Sequence, residues 1–539
     1  MDEFKALCDE ITEFWWQTSP VTASFVGIHK YDHRLDDCSP EFNQDLALRN
    51  REFIRRLDEL DPTTLTRDEQ LDYRLVLDNL RVTVRNLEDV RYWQKDPTGY
   101  AQFGAYAVFV LAVREFAPLE QRAEAMLSRL RLTPRSLKQG RSCLKDSPEV
   151  FTRIALEVCQ GTKGFYQDFM PAFADQVPKL KADILSASRE ALQAVDDYER
   201  FLREVHLPRS NGSYAVGREL YDYMLRVNHG LTYDADDLLA IGNRTLAETE
   251  AALAALSREI APGQEWWQIV KTIKQDHPEP RELLDAYRTA MQQARDFVRE
   301  RGLVTIPEGE DIQLIWTPPF QCATIPYAAY QAPAPFDTAQ TGLFYVTPVN
   351  EQLSPEKQAE QLEGHSRLSI PVIALHEAYP GHHLQLVHAN RSGSDVRKVL
   401  GTSVFIEGWA LYCEEMMYEQ GYYTDPRMRL MQLKDQVWRG CRVLVDVGLH
   451  TQGMTFDQAV AMLVNRAHLE PVNAETEVKR YCSTPTQPMS YCIGKQQILA
   501  LRDEYKQRLG PRFTLREFHD RLLSFGSLPV ALIRERMLA

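Results

Sequence analysis

The sequence lacks any apolar run that approaches the roughly 20 residues a membrane-spanning helix needs. Its first residues, MDEFKALCDE, also lack the basic start and apolar core of a secretory signal, because acidic side chains come at once. From these two absences we expect a cytoplasmic protein that has no membrane partner.

The sequence also has fewer basic residues than acidic ones. The 62 lysines and arginines are outnumbered by 76 aspartates and glutamates, which gives a formal net charge of −14 over 539 residues. A surface that binds nucleic acid needs a basic face, so no nucleic-acid partner is expected. The charge balance favours solubility and leaves the oligomeric state open.

The nine cysteines are scattered along the chain, and none of them forms a C-x-x-C pair. This spacing indicates neither a disulfide framework nor a cysteine zinc site. We therefore expect reduced thiols that lie mostly in the core.

Most of the chain has the apolar spacing of three and four residues that is typical of amphipathic helices, as in residues 119–132 and 235–260. Between about 306 and 349 two short β-prone runs replace this pattern, at residues 312–316 and 343–346. The sequence predicts a mainly α protein with a small β-sheet. We expect a mostly helical lobe, residues 1–300, and a lobe of residues 301–539 that carries the sheet and the catalytic helices.

Five of the 13 histidines fall between His365 and His388. A lone histidine is usually structural, but this cluster includes a carboxylate in the sequence HEAYPGHH, residues 376–383. Zinc peptidases use H-E-x-x-H because residues four apart share one helical face and bring two imidazoles to one metal. Here the fourth position is Pro380, which cannot bind a metal or donate the helical hydrogen bond.

The partner of His376 is therefore either His382 or His383. In a straight helix six residues turn the chain by about 600°, which puts His382 on another face. Seven residues turn it by about 700° but with a rise of about 10.5 Å, which puts His383 too far along the axis. A metal site requires a kink or bulge, and Tyr379-Pro380-Gly381 supplies residues suited to one.

The segments HEAYPGHHLQ (376–385) and EGWALYCEE (407–415) resemble the domain-of-unknown-function 885 family. The resemblance extends to PVTASFVG (20–27), DVGLH (446–450) and PMSYCIGK (488–495). That family is similar to helical zinc peptidases such as thimet oligopeptidase and angiotensin-converting enzyme, which carry H-E-x-G-H and a third glutamate ligand on a later helix. The resemblance implies a zincin-like helical fold, with the small sheet beside the metal-binding helix and a deep central cleft.

Matched to H-E-x-G-H, the resemblance implies that His376 and His382 bind zinc and that Glu377 is the general base. His383 is left as a group that supports the ligands or as an alternative ligand. The resemblance also implies that Glu407, 25 residues beyond His382, is the third ligand. The alternative for Glu407 is a surface acid at a helix start, which the helix dipole favours.

Two further acids follow Glu407 by about two helical turns. Glu414 and Glu415 are expected to orient His376 or His382 as hydrogen-bond acceptors.

Tyr491 is a candidate donor to the oxyanion that develops during amide hydrolysis. Lys495, four residues on, would share its face in a helix and could pair with a substrate carboxylate. The alternatives are a core aromatic for Tyr491 and a solvated lysine for Lys495.

Arg442, Asp446 and His450 recur at spacings of four and would form one polar helical stripe. This stripe either faces the cleft, where Arg442 and His450 would contact substrate, or forms a structural ion-pair network. The run 343–346, which contains Tyr345, could hold a peptide by pairing along its edge.

The sequence therefore predicts a zinc-dependent hydrolase of peptide bonds, with a peptide or small amide as its partner. Two alternatives remain open. One is a zinc amidase that acts on a small non-peptide substrate, whose ligand set would be the same. The other is a catalytically inactive helical interaction scaffold, which would fail to retain metal.

Overall fold

The computed structural model describes residues 3–322, 325 and 327–539. Helices make up most of this part of the chain and one small sheet accompanies them, which confirms the mainly α expectation. The chain divides into two units. Unit 1 comprises Met1–Tyr214, Pro318–Thr324 and Ala334–Ala339, and unit 2 comprises Ala215–Thr317, Ile325–Pro333 and Gln340–Ala539. The division at residue 300 stays a prediction.

Unit 1 is helical. Its helices are α1 (Glu3–Thr18), α2 (Pro20–Val26), α3 (Pro40–Asp58), α4 (Arg67–Arg85), α5 (Tyr92–Lys95), α6 (Pro97–Val113), α7 (Leu119–Cys143), α8 (Glu149–Gly164), α9 (Met170–Ala174) and α10 (Lys181–Phe201). Helix α6 is apolar on nearly all faces and largely buried, as expected of a helix at the centre of a bundle. It packs against α7 and α8.

Unit 2 contains the sheet and the remaining helices. Its strands are β1 (Glu310–Trp316), β2 (Ala328–Gln331) and β3 (Gln340–Val346). Its helices are α11 (Arg218–Val227), α12 (Ala235–Ile260), α13 (Trp266–Lys274), α14 (Leu283–Arg301), α15 (Pro355–Glu363), α16 (Ile370–Glu377), α17 (His382–Asn390), α18 (Asp395–Val399), α19 (Ser403–Glu419), α20 (Pro426–Thr451), α21 (Phe456–Arg466), α22 (Pro471–Ser483), α23 (Ser490–Leu509), α24 (Leu515–Leu523) and α25 (Val530–Met537). Within the described part of the chain, none of the helices is both long enough and apolar enough to span a bilayer.

The sheet has the order β1-β3-β2, with β1 parallel and β2 antiparallel to β3. Because β3 is paired along both edges, the expectation that residues 343–346 hold a peptide by edge pairing is wrong. Tyr345 lies in this central strand, is 3% exposed, and donates its hydroxyl to Gln331 Oε1 at 2.9 Å. Both runs predicted as strands lie in β1 and β3, whereas β2 was not foreseen.

Helices α19 and α23 cross in backbone contact. A Cβ added at Gly494 would lie 1.8 Å from the Val404 carbonyl oxygen, and one added at Gly408 would lie 2.4 Å from the Gly494 Cα. Glycine at both positions therefore permits a separation that side chains would prevent. The crossing puts Glu407 on α19 beside the start of α23, where Tyr491 lies.

Helices α12 and α20 also approach through glycine, because a Cβ at Gly242 would lie 3.1 Å from the side chains of Val443 and Leu444. Buried apolar residues of α11, α12, α19, α20 and α23 then form one cluster that includes Tyr491. The nine cysteines are free thiols and most of them are buried, as the sequence indicated.

Replacing Gly494 by alanine tests this crossing. A helical glycine-to-alanine change ordinarily stabilises by about 0.5–1 kcal/mol, but here the new methyl group would collide with backbone. We expect a loss of about 3 kcal/mol in the free energy of unfolding, as in severe overpacking, measured by denaturant titration. Gly99→Ala is the matched control, because Gly99 lies inside helix α6 and a Cβ there meets nothing within 4 Å. Equal stability of the two variants would contradict a tight crossing.

In unit 1, His29 donates Nδ1–H to Asp32 Oδ2 at 2.8 Å and Nε2–H to Asp337 Oδ1 at 2.9 Å. Its ring stacks on Phe116 with centroids 3.6 Å apart. Burial acts to lower the pKa of His29, but the hydrogen bonds and charges of the two aspartates prevail and raise it to about 9. The folded state therefore binds this proton more tightly than the unfolded chain does.

His29→Gln should accordingly destabilise the protein in a pH-dependent way. The contribution of His29, on the order of 1–3 kcal/mol, is fully present below about pH 6.5, its ordinary pKa. It is lost as the pH rises through 9. Free energies of unfolding measured at pH 6 and at pH 9.5 should show a large gap between wild type and variant only at pH 6. A gap that is constant with pH would show that His29 is not charged in the fold.

Candidate metal centre

The helix that carries His376 ends at the motif itself. Helix α16 ends at Glu377 and α17 begins at His382, with a cis peptide bond before Pro380 in the intervening turn. The Gly381 amide donates to the Leu375 carbonyl at 3.0 Å. A Cβ on Gly381 would lie 1.8 Å from the His376 carbonyl oxygen, so only glycine fits. The interruption that the spacing required is present, as a break between two helices.

The break brings His376, Glu377 and His382 together. Candidate ligand atoms of His376, Glu377 and His382 all lie within 4.8 Å of one another. His382 Nε2 lies 3.2 Å from Glu407 Oε2. Two ligands of a tetrahedral zinc ion, each about 2.0–2.1 Å from it, are about 3.4 Å apart. The separation of His382 and Glu407 therefore suits one metal ion bound by both.

Hydrogen bonds orient His376 and Glu407, and each of these side chains keeps one atom that could bind a metal. His376 donates Nδ1–H to Glu414 Oε1 at 2.8 Å, which leaves Nε2 for a metal. Glu407 accepts a hydrogen bond from Gln487 Nε2 at 3.1 Å on its Oε1 atom. Among the described residues, Glu407 Oε2 and His382 Nδ1 are buried without a hydrogen-bond partner. Such atoms cost about 1–3 kcal/mol each. A cation bound between Glu407 Oε2 and His382 Nε2 would satisfy the carboxylate oxygen, whereas His382 Nδ1 would stay unpartnered.

His383 is held away from the cluster. Its Nε2–H donates to Glu310 Oε2 at 2.5 Å, and its Nδ1 accepts from the Tyr330 hydroxyl at 2.8 Å. Glu310 also accepts from Tyr379 and, at 2.5 Å, from Arg295. Burial acts to raise the pKa of Glu310, but these partners lower it to about 2. With both ring nitrogens of His383 engaged, the geometry favours His382 as the second ligand.

The three consecutive residues Glu407, Gly408 and Trp409 each make a different contact. Glu407 faces His382, Gly408 lies at the crossing with α23, and Trp409 is fully buried. The indole N–H of Trp409 donates to the Pro380 carbonyl at 2.8 Å. Helix α19 therefore supplies a ligand and also fixes the turn that positions the other ligands.

Burial shifts the charges of the cluster. It raises the pKa of Glu377 to about 7, with His382 opposing and Glu407 reinforcing the shift. Burial also acts to raise the pKa of Glu407, but the nearby charge of His382 lowers it to about 2. The pKa of His376 is well below its usual value because of burial and the charge of His382. Glu377 can therefore gain or lose a proton near neutrality, as can Glu414, whose pKa burial also raises to about 7.

Tyr491 lies beside the ligands. Its ring centroid is 6.3 Å from that of His376, and its hydroxyl is 3.4 Å from Gln487 Nε2. Lys495 is on the same helix but is buried, and its Nζ donates to Glu415 at 3.0 Å and to Gln436 at 2.9 Å.

Of the two later acids, only Glu414 contacts a ligand. Glu415 binds Lys495 and also Arg429, at 2.8 Å. It therefore orients cations of unit 2 and not a histidine ligand.

The polar stripe on α20 divides into two parts. Asp446 accepts from the Tyr221 hydroxyl at 2.9 Å, and His450 Nε2 donates to the Tyr481 carbonyl at 3.0 Å. These contacts are structural. Arg442 donates to the Tyr481 hydroxyl at 2.6 Å, and its guanidinium lies 4.5 Å from the Tyr491 ring centroid. Of the three, Arg442 therefore approaches the ligand cluster.

Sequence reasoning missed four residues of the site. Arg439, three residues before Arg442, could have been added from helical periodicity. Gln487, next to the segment 488–495, carries no local signal for its contact with Glu407. Glu310 and Tyr330 reach the motif across the fold, and nothing in the sequence indicated them.

Comparison with known proteins agrees with the motifs. A family model described as "Bacterial protein of unknown function (DUF885)" matches residues 20–537, which confirms the family resemblance. No curated protein matches the chain.

Two solved structures have the same fold over essentially the whole chain. One, from Shewanella oneidensis, is 25% identical with a TM-score of 0.80 and covers 100% of both chains. The other, from Colwellia psychrerythraea, is 18% identical with a TM-score of 0.85 and covers 99% of this chain and 98% of its own. Both are described as a "putative lipoprotein", the first of unknown function.

The ligand assignment predicts how zinc content responds to substitution. The purified protein should hold about one zinc ion per chain. His376→Ala, His382→Ala and Glu407→Ala should each remove most of it, as measured by elemental analysis. His383→Ala is the matched neighbour and should keep zinc, although loss of its two buried hydrogen bonds should lower stability. A larger zinc loss in His383→Ala than in His382→Ala would reverse the assignment.

Proposed function

This chain belongs to the DUF885 family, and we propose that it is a zincin-like, zinc-dependent hydrolase that cleaves peptide bonds. The grouping of His376, Glu377 and His382, with Glu407 Oε2 3.2 Å from His382 Nε2, is the observation that carries the proposal. Zinc bound by these three ligands would polarise a scissile carbonyl and make a water molecule more acidic. The nine free cysteines support a reducing compartment, such as the cytoplasm, as the place of action.

Glu377 is the proposed general base. It is the last residue of α16 and directly follows His376, so it lies next to the position where water would be activated. A carboxylate whose pKa is about 7 can accept the proton of the attacking water and pass it to the leaving amine.

Tyr491 is the proposed donor to the developing oxyanion. The hydroxyl of Tyr491 is close to Gln487, which also binds Glu407. Its distance from the cluster is therefore fixed by a side chain that also fixes a ligand. Burial raises the pKa of Tyr491, which keeps its hydroxyl protonated and able to donate.

The Glu377→Gln variant tests whether Glu377 acts as a general base or as a zinc ligand. The variant should keep its zinc but lose roughly 100-fold or more in turnover, the scale expected for a missing general base. A peptide-library digest read by mass spectrometry measures activity and cleavage position together. Glu248→Gln, at an exposed position of α12, is the control and should behave as wild type.

Other outcomes of the same digest would contradict the proposal. Zinc loss in Glu377→Gln would make Glu377 a ligand. Zinc-loaded wild type that releases amines from small amides but leaves every peptide intact would be an amidase. Zinc-loaded protein that is inert on both would be a binding scaffold.

A further inference from the structure

Two arginines of α20 lie next to the proposed catalytic cluster. Arg439 and Arg442 are three residues apart and so share a helical face. Their guanidinium groups lie 4.3 and 4.2 Å from the Trp438 ring centroid, and 5.9 and 4.5 Å from that of Tyr491. Because the Tyr491 ring is also 6.3 Å from that of His376, one aromatic side chain adjoins both the arginines and the ligands.

Arg442 is only partly satisfied by the protein. Its Nη2 donates to Glu477 at 2.9 Å, but Arg480 binds the same carboxylate oxygen at 2.9 Å. Its Nε donates to the hydroxyl of Tyr481. Its Nη1 is buried and has no hydrogen-bond partner among the described residues, although the residue is only 3% exposed. A charged donor in this state is costly unless a ligand completes it.

Arg439 is less satisfied still. Its Nη1 lies 3.6 Å from Asp435, beyond hydrogen-bonding distance, and Asp435 is held at 2.6 Å by Lys434. In the described part of the chain, the Nε and Nη1 atoms of Arg439 are buried without a partner. The two arginines therefore present three unused donors, and the two carboxylates paired with them, Glu477 and Asp435, are each shared with a second cation.

Solvent reaches this region. The side chains of Glu407, Arg439 and His382 are 16%, 12% and 10% exposed, which is more than expected for a sealed core. Lys495, the cation that the sequence suggested for a substrate carboxylate, is already bound to Glu415 and Gln436. Around the Tyr491 ring, the unused cationic donors among the described residues belong to the arginine pair.

We propose that Arg439 and Arg442 bind the free C-terminal carboxylate of the substrate, so that the protein removes one to a few residues from the end of short peptides. This inference rests on the proposed peptidase function. The contacts through Tyr491 put Arg442 no more than about three extended residues from His376, at about 3.5 Å per residue. Arginine is suited to a carboxylate because its N–H groups donate charge-assisted hydrogen bonds in a planar array.

The test measures binding apart from turnover. Three N-blocked tripeptides are titrated calorimetrically into the zinc-loaded full-length Glu377→Gln protein, in which turnover is slow, and their hydrolysis is followed separately with wild type. One has a free C-terminal carboxylate, one is its amide, and one is an amide that carries a glutamate side chain. We expect the free acid to bind roughly 10- to 100-fold more tightly than either amide, as two charge-assisted contacts allow.

Added to Glu377→Gln, Arg439→Gln and Arg442→Gln should each remove most of this preference and leave the affinity for the plain amide within about twofold. Arg439→Lys should retain part of it, because the charge remains. Replacement of Arg439 leaves the pairing of Glu477 intact, so this variant should fold even if Arg442→Gln does not. Arg427→Gln is the matched control, since Arg427 is on the same helix but exposed and paired with Asp425.

Equal binding of acid and amide by the Glu377→Gln protein would overturn the inference, as would an acid preference that survives in the arginine variants. Preference for the glutamate-bearing amide would also overturn it, because the site would then read a side chain. If the protein hydrolysed the acid and amide peptides with equal kcat/KM, the peptidase proposal would stand but the carboxylate site would be contradicted. A retained acid preference without hydrolysis of any peptide would support the site and contradict the proposed function.

Discussion

The close approach of Gly381 to the end of α16 is the constraint on which the grouping of His376, Glu377 and His382 depends. Its amide binds the Leu375 carbonyl, and a Cβ at this position would meet the His376 carbonyl oxygen at 1.8 Å. The chain can therefore leave one helix at Glu377 and start another at His382. In one continuous helix the six-residue spacing would put the two imidazoles on different faces.

A short turn between two helices has little stability of its own, so its position must be fixed by contacts from other elements. Trp409 on α19 binds the Pro380 carbonyl from one direction, and Glu310 at the start of β1 accepts from Tyr379 and His383. The sheet thus supports the centre through the buried carboxylate of Glu310 on β1 and the hydroxyl of Tyr330 on β2, which hold residues on either side of Pro380 and Gly381. This is a different role from the peptide pairing that its sequence suggested, since β3 has both edges occupied.

The sequence predictions that agree with the structure came from residues that are close together along the chain. The apolar spacing gave α12 with its bounds at 235 and 260, and helix geometry with Pro380 required the break. Strand β2 was missed because the Pro- and Ala-rich stretch around it has no alternating pattern. Glu310 was missed because its partners lie 69 and 73 residues away. Strand order and buried pairings of this kind are set by tertiary packing, which leaves no local signal.

In the candidate site, the buried carboxylate of Glu407 and the buried guanidinium of Arg442 do not pair with each other. Had Arg442 paired directly with Glu407, the carboxylate would be less able to bind a cation and the guanidinium less able to bind an anion. Instead Glu407 contacts Gln487 and His382, while Arg442 contacts Tyr481 and Glu477. Tyr491, placed by the glycine crossing of α19 and α23, adjoins both sets. The Tyr491 side chain is neutral, so it does not pair with the charge of Glu407 or with that of the arginines. Among the described residues, Glu407 Oε2 and Arg442 Nη1 have no hydrogen-bond partner. In the function proposed above, these two atoms are the ones that would bind the metal ion and the carboxylate of the substrate.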